Sequence, residues 1–227
     1  ALLEPEKIAS TIAIYTGKTR RGAAWQDFKT ANLHMDSILT ASEWAVAQNC
    51  ADEIRSYPFW KAILRDNPKF EQIIFWNDPH SPSIALRSKI DVITDTMVID
   101  VKSTSSIDRF ESSFFKYHYH FQAAAYLRAV AHHLGMIKEP LGDDVLDSRN
   151  YYILAVEKSG CNLVREFYVE PPVIEYGELL WTKALRLLEE SLNTDEWGGF
   201  ESFPTKTISL PAWAEEKMEF EMEALAK

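Results

Sequence analysis

Ile84 to Thr104 reads IALRSKIDVITDTMVIDVKST, and the fold depends on how this stretch pairs with itself. An even loop at Thr94 to Met97 sets Asp91 opposite Asp100 and Lys89 opposite Lys102, because paired antiparallel residues share a face. Ile84, Leu86, Ile90, Val92, Ile99 and Val101 then form an apolar face, and Arg87, Lys89, Asp91, Asp100 and Lys102 gather on the other. A slip of one residue would bring Asp91 beside Ile99 and scatter the charges, so the apolar pattern favours the clustered register. Two facing carboxylates repel unless a cation lies between them. Asp91 and Asp100, with Glu71 from the strand before, make an oxygen-rich set that suits magnesium or manganese and does not suit zinc. Lys102 points to the side of Asp100, where its ammonium can orient or deprotonate a water or offset charge growing on a phosphate. A D-x-K triplet alone equally describes a salt-bridged strand. With Asp91 opposed and a later helix carrying Gln122, the set reads as metal-assisted phosphodiester hydrolysis.

Working outward, Phe70 to Trp76 (FEQIIFW) is rich in aromatic and β-branched residues and predicts a strand, with Asn77 to Pro82 as the turn into the hairpin. Glu71 sits near its start, where a lone glutamate is ordinarily exposed. Upstream, Thr40 and Glu43 form a capping box for a helix whose apolar stripe is Trp44, Ala47, Cys50 or Ala51 and Ile54, ended at Pro58. Downstream, a helix is expected from about Phe114 to Leu134, closed by Gly135, with Gln122 and Tyr126 one turn apart on one face. A strand over Tyr151 to Glu157 makes a crossover, and Leu163 to Val169 pairs with it through the SGCN loop at Ser159 to Asn162. An amphipathic helix over Val173 to Leu192 follows, and a last helix starts near Pro211. The class is α/β: a mixed central sheet flanked by helices.

The 227 residues suffice for one domain spanning 1–227, with no composition break. No apolar run is long enough to span a bilayer and no signal peptide is evident, so no membrane partner is expected. The two cysteines, Cys50 and Cys161, lack metal spacing and need not pair, which suits a reducing cytoplasmic location or a protein indifferent to redox state. A net charge of -10 opposes general nucleic-acid binding, so a DNA partner requires local positive charge. GKTRRG, Gly17 to Gly22, supplies Lys18, Arg20 and Arg21 on a loop that is either a solvated turn or a phosphate contact; Arg87 and Lys89 add to it. Ser103 and Thr104 either donate to a phosphate or satisfy the strand end. His120 is either near the phosphate or a hydrogen-bonded core group. His132 and His133 suit the helix C-terminus. Leu210 to Lys227 is acidic, a solvated face or a subunit contact. No Walker-type glycine loop is present, so ATP is not expected.

The order Glu71, Asp91, Asp100-Val101-Lys102, then a helix carrying Gln122 and Tyr126, resembles the PD-(D/E)xK nuclease superfamily and its restriction-endonuclease-like core. More narrowly it is similar to the exonuclease VIII (RecE-type) branch of phage and prophage exonucleases. LLEPEK, KTRRG, EQIIFW, KIDVI, VIDVKST, YHYHFQAAAYL, AVEKSG and LPAW carry that likeness. The resemblance implies that Asp91 and Asp100 bind Mg2+ (or Mn2+), assisted by the Val101 carbonyl and Glu71, and that Lys102 serves the attacking water. Gln122 and Tyr126 would hold the duplex end, and His120 matches a histidine of the family's helix. The implied activity is ATP-independent degradation of linear double-stranded DNA from its 5′ end, leaving a 3′ single strand for recombination. The implied partners are DNA ends, further copies closing a homo-oligomeric ring around a channel lined by Lys18, Arg20, Arg21, Arg87 and Lys89, and a single-strand annealing protein. A structure-specific or single-strand nuclease on the same fold is one alternative, and a catalytically weakened DNA-binding or assembly protein is another. Two departures stand out: Ile90 replaces the proline usual before the first aspartate, and the histidine found shortly before LLEP in RecE-type enzymes has no counterpart in this numbering.

Overall fold

A computed structural model describes residues 2–17, 19–135 and 149–198, with 214, 217 and 218. The N-terminal part is a small α/β unit that the sequence pattern did not predict. A 3-10 turn at Pro5–Lys7 leads into α1 (Ile8–Thr11) and β1 (Ile12–Tyr15). The GKTRRG loop and α2 (Ala23–Ala31) carry the chain to β2 (Ser37–Thr40), which pairs parallel to β1 from Ile12↔Ser37 to Tyr15↔Thr40. Tyr15 closes this unit, its ring 5.0 Å from Trp25 and 5.1 Å from Phe28.

Thr40 then caps α3 (Ala41–Ser56) with the expected reciprocal box: its hydroxyl accepts from the Glu43 N–H at 3.2 Å, and Glu43 accepts from the Thr40 N–H at 2.7 Å. Pro58 does not simply end the region. It occupies the first turn of a second helix, α4 (Pro58–Ile63), where a missing N–H costs nothing.

The main sheet has five strands in sequential order: β3 (Lys69–Asp78), β4 (Ser81–Ile93), β5 (Met97–Thr104), β6 (Asn150–Glu157) and β7 (Val164–Val169). β5 and β6 run parallel, from Met97↔Asn150 to Thr104↔Glu157, and every other pairing is antiparallel. The sheet is therefore mixed, as expected. The turn between β4 and β5 is the even one, Thr94 to Met97, with the Thr94 N–H donating to the Met97 carbonyl at 2.8 Å.

The single apolar face expected for the hairpin gives way to a sheet covered on both sides. Val92 and Ile99, both 0 % exposed, pack with Cys50, Ile54, Trp60 and Ile63 of α3 and α4. Ile84, Ile90, Ile93 and Val98 instead join the larger core built by α5 (Phe110–Lys116), α6 (Tyr119–His133) and α7 (Pro171–Thr194). Val98 shares the side of Asp100 by strand alternation, so the face read as charged is itself half core.

The long helix expected from Phe114 starts earlier and is broken. α5 ends at Lys116, His118 takes a left-handed conformation (φ 56), and α6 restarts at Tyr119. Left-handed histidine is uncommon, and it re-aims the chain between two helices that a continuous apolar pattern had fused. Gly135, at φ 66, closes α6 as expected. Pro171 and Pro172 open α7, two residues before the expected start at Val173. The helix expected near Pro211 and the LPAW motif lie outside the described residues.

The chain divides into two compact units, Ala1–Glu189 and Glu190–Lys227. The first holds the whole sheet. Of the second, the described part is the end of α7, the run to 198 and residues 214, 217 and 218; Thr194 donates to the Glu190 carbonyl at 2.9 Å and Asp195 turns the chain at φ 56. Among the described residues no helix is long and apolar enough to cross a membrane.

Candidate active site

The β4–β5 ladder has two pairs, Val92↔Ile99 and Ile93↔Val98, and then the strands part. Lys89 and Lys102 are consequently not paired across the hairpin. Where the next backbone bond would form, the Asp91 carboxylate takes its place and accepts the Val101 N–H on Oδ2 at 2.7 Å. The opening of the strands is what gives Asp91 and Asp100 a shared space, since a continued ladder would fill it with backbone.

Asp100 is 1 % exposed. Its Oδ2 faces the Lys102 ammonium at 2.5 Å, and its Oδ1 accepts from Gln122 Nε2 at 3.3 Å. Gln122 also donates to the Tyr126 hydroxyl at 2.8 Å, so one face of α6 is tied to the end of β5. Asp91, Asp100, Lys102, Gln122 and Tyr126 are thus brought together. Burial raises the Asp91 pKa to about 6, helped by the Asp100 charge and opposed by the Val101 N–H and by Lys102. Burial also raises Asp100, against the pull of Lys102. Tyr126 is pushed up to about 12, chiefly by burial, and remains a neutral phenol. Lys102 is the one ammonium set against two carboxylates here, which leaves the pair under-compensated.

Glu71 reaches the same cleft from β3 but is turned elsewhere. It sits at φ 51, a strained value for a residue with a side chain, and its carboxylate forms an ion pair with Lys89. A cleft of about 670 Å³ brings Glu71, Lys89, Asp91 and Val101 together with Leu2, Lys7 and Asp36. Lys7 and Asp36, from the N-terminal unit, had no signal in the sequence.

Among the described residues no group of three or more His, Cys, Asp or Glu side chains converges at metal-ligand geometry. The donors at hand are the Asp91 and Asp100 carboxylates and the Val101 carbonyl. All are hard oxygens, and burial is the main reason both acids hold their protons more tightly than usual. That set fits a divalent cation of the magnesium type, which binds through one or two carboxylates and keeps water and phosphate oxygens in its other positions.

The residues expected to meet DNA are dispersed. Lys18 lies outside the described residues. Arg20 pairs with Glu43 of the capping box, donates to the Ile38 carbonyl at 3.0 Å and lies 5.7 Å over the Trp25 ring. Arg21 and Arg87 are exposed. Ser103 is on the α3 side, beside Cys50 and Lys158. Thr104 is buried and spends its hydroxyl on the Ser106 carbonyl at 3.1 Å. His120 is 2 % exposed, stacked on Tyr176 at 5.0 Å, with its pKa lowered by burial and then by His118. It is a core ring in an aromatic box and not a phosphate contact.

Two residues were missed. Tyr151 is 1 % exposed, lies beside Val98 in the parallel pairing, has no hydrogen-bond partner for its hydroxyl, and is pushed far up in pKa by burial and by the Asp100 charge. Tyr119 puts its ring 4.9 Å from the Lys102 ammonium. Pairing β5 with β6 in register would have found the first; the second needed the break at His118.

The strand order, the parting hairpin and the Asp91, Asp100 and Lys102 cluster define a restriction-endonuclease-like fold with its acidic site at the opening of two central strands. Residues 5–199 match the family described as a PDDEXK-like domain of unknown function (DUF3799), and the chain belongs to that family. A search of curated proteins returns no match. Among solved structures, a crystal structure from Eubacterium rectale described as "Putative exonuclease" matches with a TM-score of 0.58 and 12% identity, over 83% of this chain and 71% of that one. At that identity the likeness concerns the fold. The family match places the chain in the PD-(D/E)xK superfamily.

Proposed function

We propose that this protein is a Mg2+- or Mn2+-dependent deoxyribonuclease of the RecE type that degrades linear double-stranded DNA from the 5′ end without ATP. Its product would be a 3′ single strand for recombination. One observation carries the hydrolytic reading: buried Asp100, paired with Lys102, lies next to half-buried Asp91, which lines the cleft, and burial raises the proton affinity of both carboxylates. A structure named as a putative exonuclease shares the fold, and that likeness supports a nuclease.

Asp91, Asp100 and the Val101 carbonyl would hold the metal, which supplies a Lewis acid for the phosphate and a water of lowered pKa. The Lys102 ammonium, beside Asp100, would offset charge as the water oxygen adds to phosphorus and the bond to the leaving sugar oxygen breaks. Gln122 fixes the Asp100 carboxylate through Oδ1, leaving the other oxygen to face Lys102. Tyr126 holds Gln122 in that orientation. For an acidic chain to grip DNA, its basic side chains must be gathered, and a homo-oligomeric ring with Arg21, Arg87 and Lys18 facing inward would do this. A single-strand annealing protein would take up the 3′ strand.

The test is digestion of a linear duplex labelled at one 5′ or 3′ end, beside closed circular and single-stranded DNA, with Mg2+ and with chelator. We expect metal-dependent loss of the 5′ label, sparing of the closed circle, and no activity in Asp100→Asn. Cutting of the closed circle would favour a structure-specific nuclease, and an Asp100→Asn variant as active as the wild type would remove the assigned site.

A further inference from the structure

The helix break before α6 leaves Phe115, Lys116, Tyr117 and His118 exposed in a row. Tyr117 is 58 % exposed and Phe115 50 %. Rings this open contribute little to the core, and a soluble surface gains nothing from holding two of them at one bend. The bend is also held firmly. The Tyr117 N–H donates to the Ser113 carbonyl at 2.9 Å and the His118 N–H to Phe115 at 3.2 Å, while the His118 carbonyl accepts from Phe121 and Gln122 at 3.0 and 3.2 Å. Gln122, which orients Asp100, therefore hangs one turn below the elbow on the same hydrogen-bond row.

The ring at the tip is linked to the reacting end. Tyr119 lies 4.9 Å from the Lys102 ammonium, and Tyr117 follows at 6.0 Å between ring centroids. A second ammonium, Lys116, sits 5.5 Å over Tyr117. Leading away from the carboxylates the order is Lys102, Tyr119, Tyr117 and Lys116, two adjoining rings with a cation at each end, which suits bases laid on the rings with the phosphates on either side met by an ammonium. Aromatic faces accept any base by stacking, and a cationic track follows the backbone.

We propose that the Tyr117 elbow, with Lys116 beside it, is a stacking platform for an unpaired base near the end of the strand being cut. This rests on the nuclease reading and specifies the state of its substrate: a frayed end, with the base one or two nucleotides from the cleaved phosphate turned onto Tyr117. The left-handed His118 is what presents that ring. Without the bend, Tyr117 would continue a helix and its ring would swing away from Tyr119.

The experiment uses the full chain with duplexes carrying 2-aminopurine at the last two positions of the 5′ strand, and matched duplexes with abasic sites there. Fluorescence is read with Ca2+ and cleavage with Mg2+. We expect wild-type protein to quench the 2-aminopurine, Tyr117→Ala to abolish quenching, and Tyr117→Phe to retain it. Tyr117→Ala should weaken binding of the base-bearing end about tenfold, in line with the stacking of one base, and leave the abasic end unaffected. Equal quenching by wild type and Tyr117→Ala, or an equal loss on both substrates, overturns the platform while wild-type cleavage upholds the nuclease. Quenching lost in Tyr117→Ala together with no cleavage by the wild type under Mg2+ or Mn2+ upholds the platform and removes the nuclease.

Discussion

Asp91 is the residue whose chemistry is most altered by its surroundings. Its carboxyl moves from an ordinary 3.8 to about 6 on folding, so between those values the folded chain holds a proton that the unfolded chain has released. Stability from this group falls as pH rises through that window, and above it the cost is on the order of 3 kcal/mol. In metal-free protein, Asp91→Asn should match the wild type near pH 4 and exceed it near pH 7 by roughly 5–10 °C in Tm; thermal melts of both proteins across pH check this, and a gap that does not grow with pH would refute it. The Tyr151 hydroxyl is a second case, buried without a partner. Tyr151→Phe removes an unsatisfied polar atom and should leave the fold as stable or more stable, by up to about 1 kcal/mol, as read by urea unfolding. Asp91, Asp100, Lys102 and Gln122 were legible in the sequence because strand alternation and helical spacing fix direction. Tyr151 was not, since an aromatic in a buried strand looks the same with or without a role. Glu71 lines the same cleft as Asp91, but its pairing with Lys89 depends on a backbone kink at φ 51 that no residue type announces.

At the scale of elements, α6 is the part on which the site depends, because it is tied to the sheet through Gln122 and Arg128 and to α7 through His120, Phe121 and Arg128. Asp78 at the end of β3 is 0 % exposed and takes Arg128 Nε at 2.7 Å, Arg128 Nη2 at 3.1 Å and Trp181 Nε1 at 2.8 Å; Arg128 Nη1 continues to Glu178 at 2.5 Å. Burial works against the Asp78 charge, but these donors and the His80 N–H bring its pKa below the ordinary value. Asp78→Ala would strand the Arg128 charge and should cost about 3–5 kcal/mol, a fall of roughly 10 °C in Tm. Gly177 sets the other contact: a Cβ there would lie 2.1 Å from the His120 carbonyl oxygen. Gly177→Ala must push α7 off the start of α6, and we expect a loss of about 1–3 kcal/mol together with reduced cleavage, because Gln122 moves with that turn; full activity would refute the coupling. Strands and caps were readable because period two and the Thr40 and Glu43 pair are local. The break between α5 and α6 was not, because the apolar run crosses it without a glycine or proline.

For the whole molecule the number to explain is the charge, 24 basic against 34 acidic residues. A chain this acidic is repelled by DNA at long range, and repulsion between like charges weakens as salt screens it. Binding therefore has to come from a few close phosphate contacts, and their number sets the slope of affinity against salt, about 0.9 for each phosphate neutralised. Arg20 is a poor candidate because Glu43 and the Ile38 carbonyl already hold it, and reversing it would also disturb the cap of α3. Exposed Arg21 carries the proposal more cleanly, and Lys18 is its basic neighbour in the sequence. Lys18→Glu with Arg21→Glu should lower the slope by about 2 while leaving Tm unchanged, as measured by DNA binding in Ca2+ between 50 and 200 mM salt. If the basic loop faces a channel closed by neighbouring copies, light scattering should give a mass several times that of one chain, and the double reversal should leave that mass intact. An unchanged slope would place the contacts elsewhere, with Arg87 and Lys116 the next to reverse.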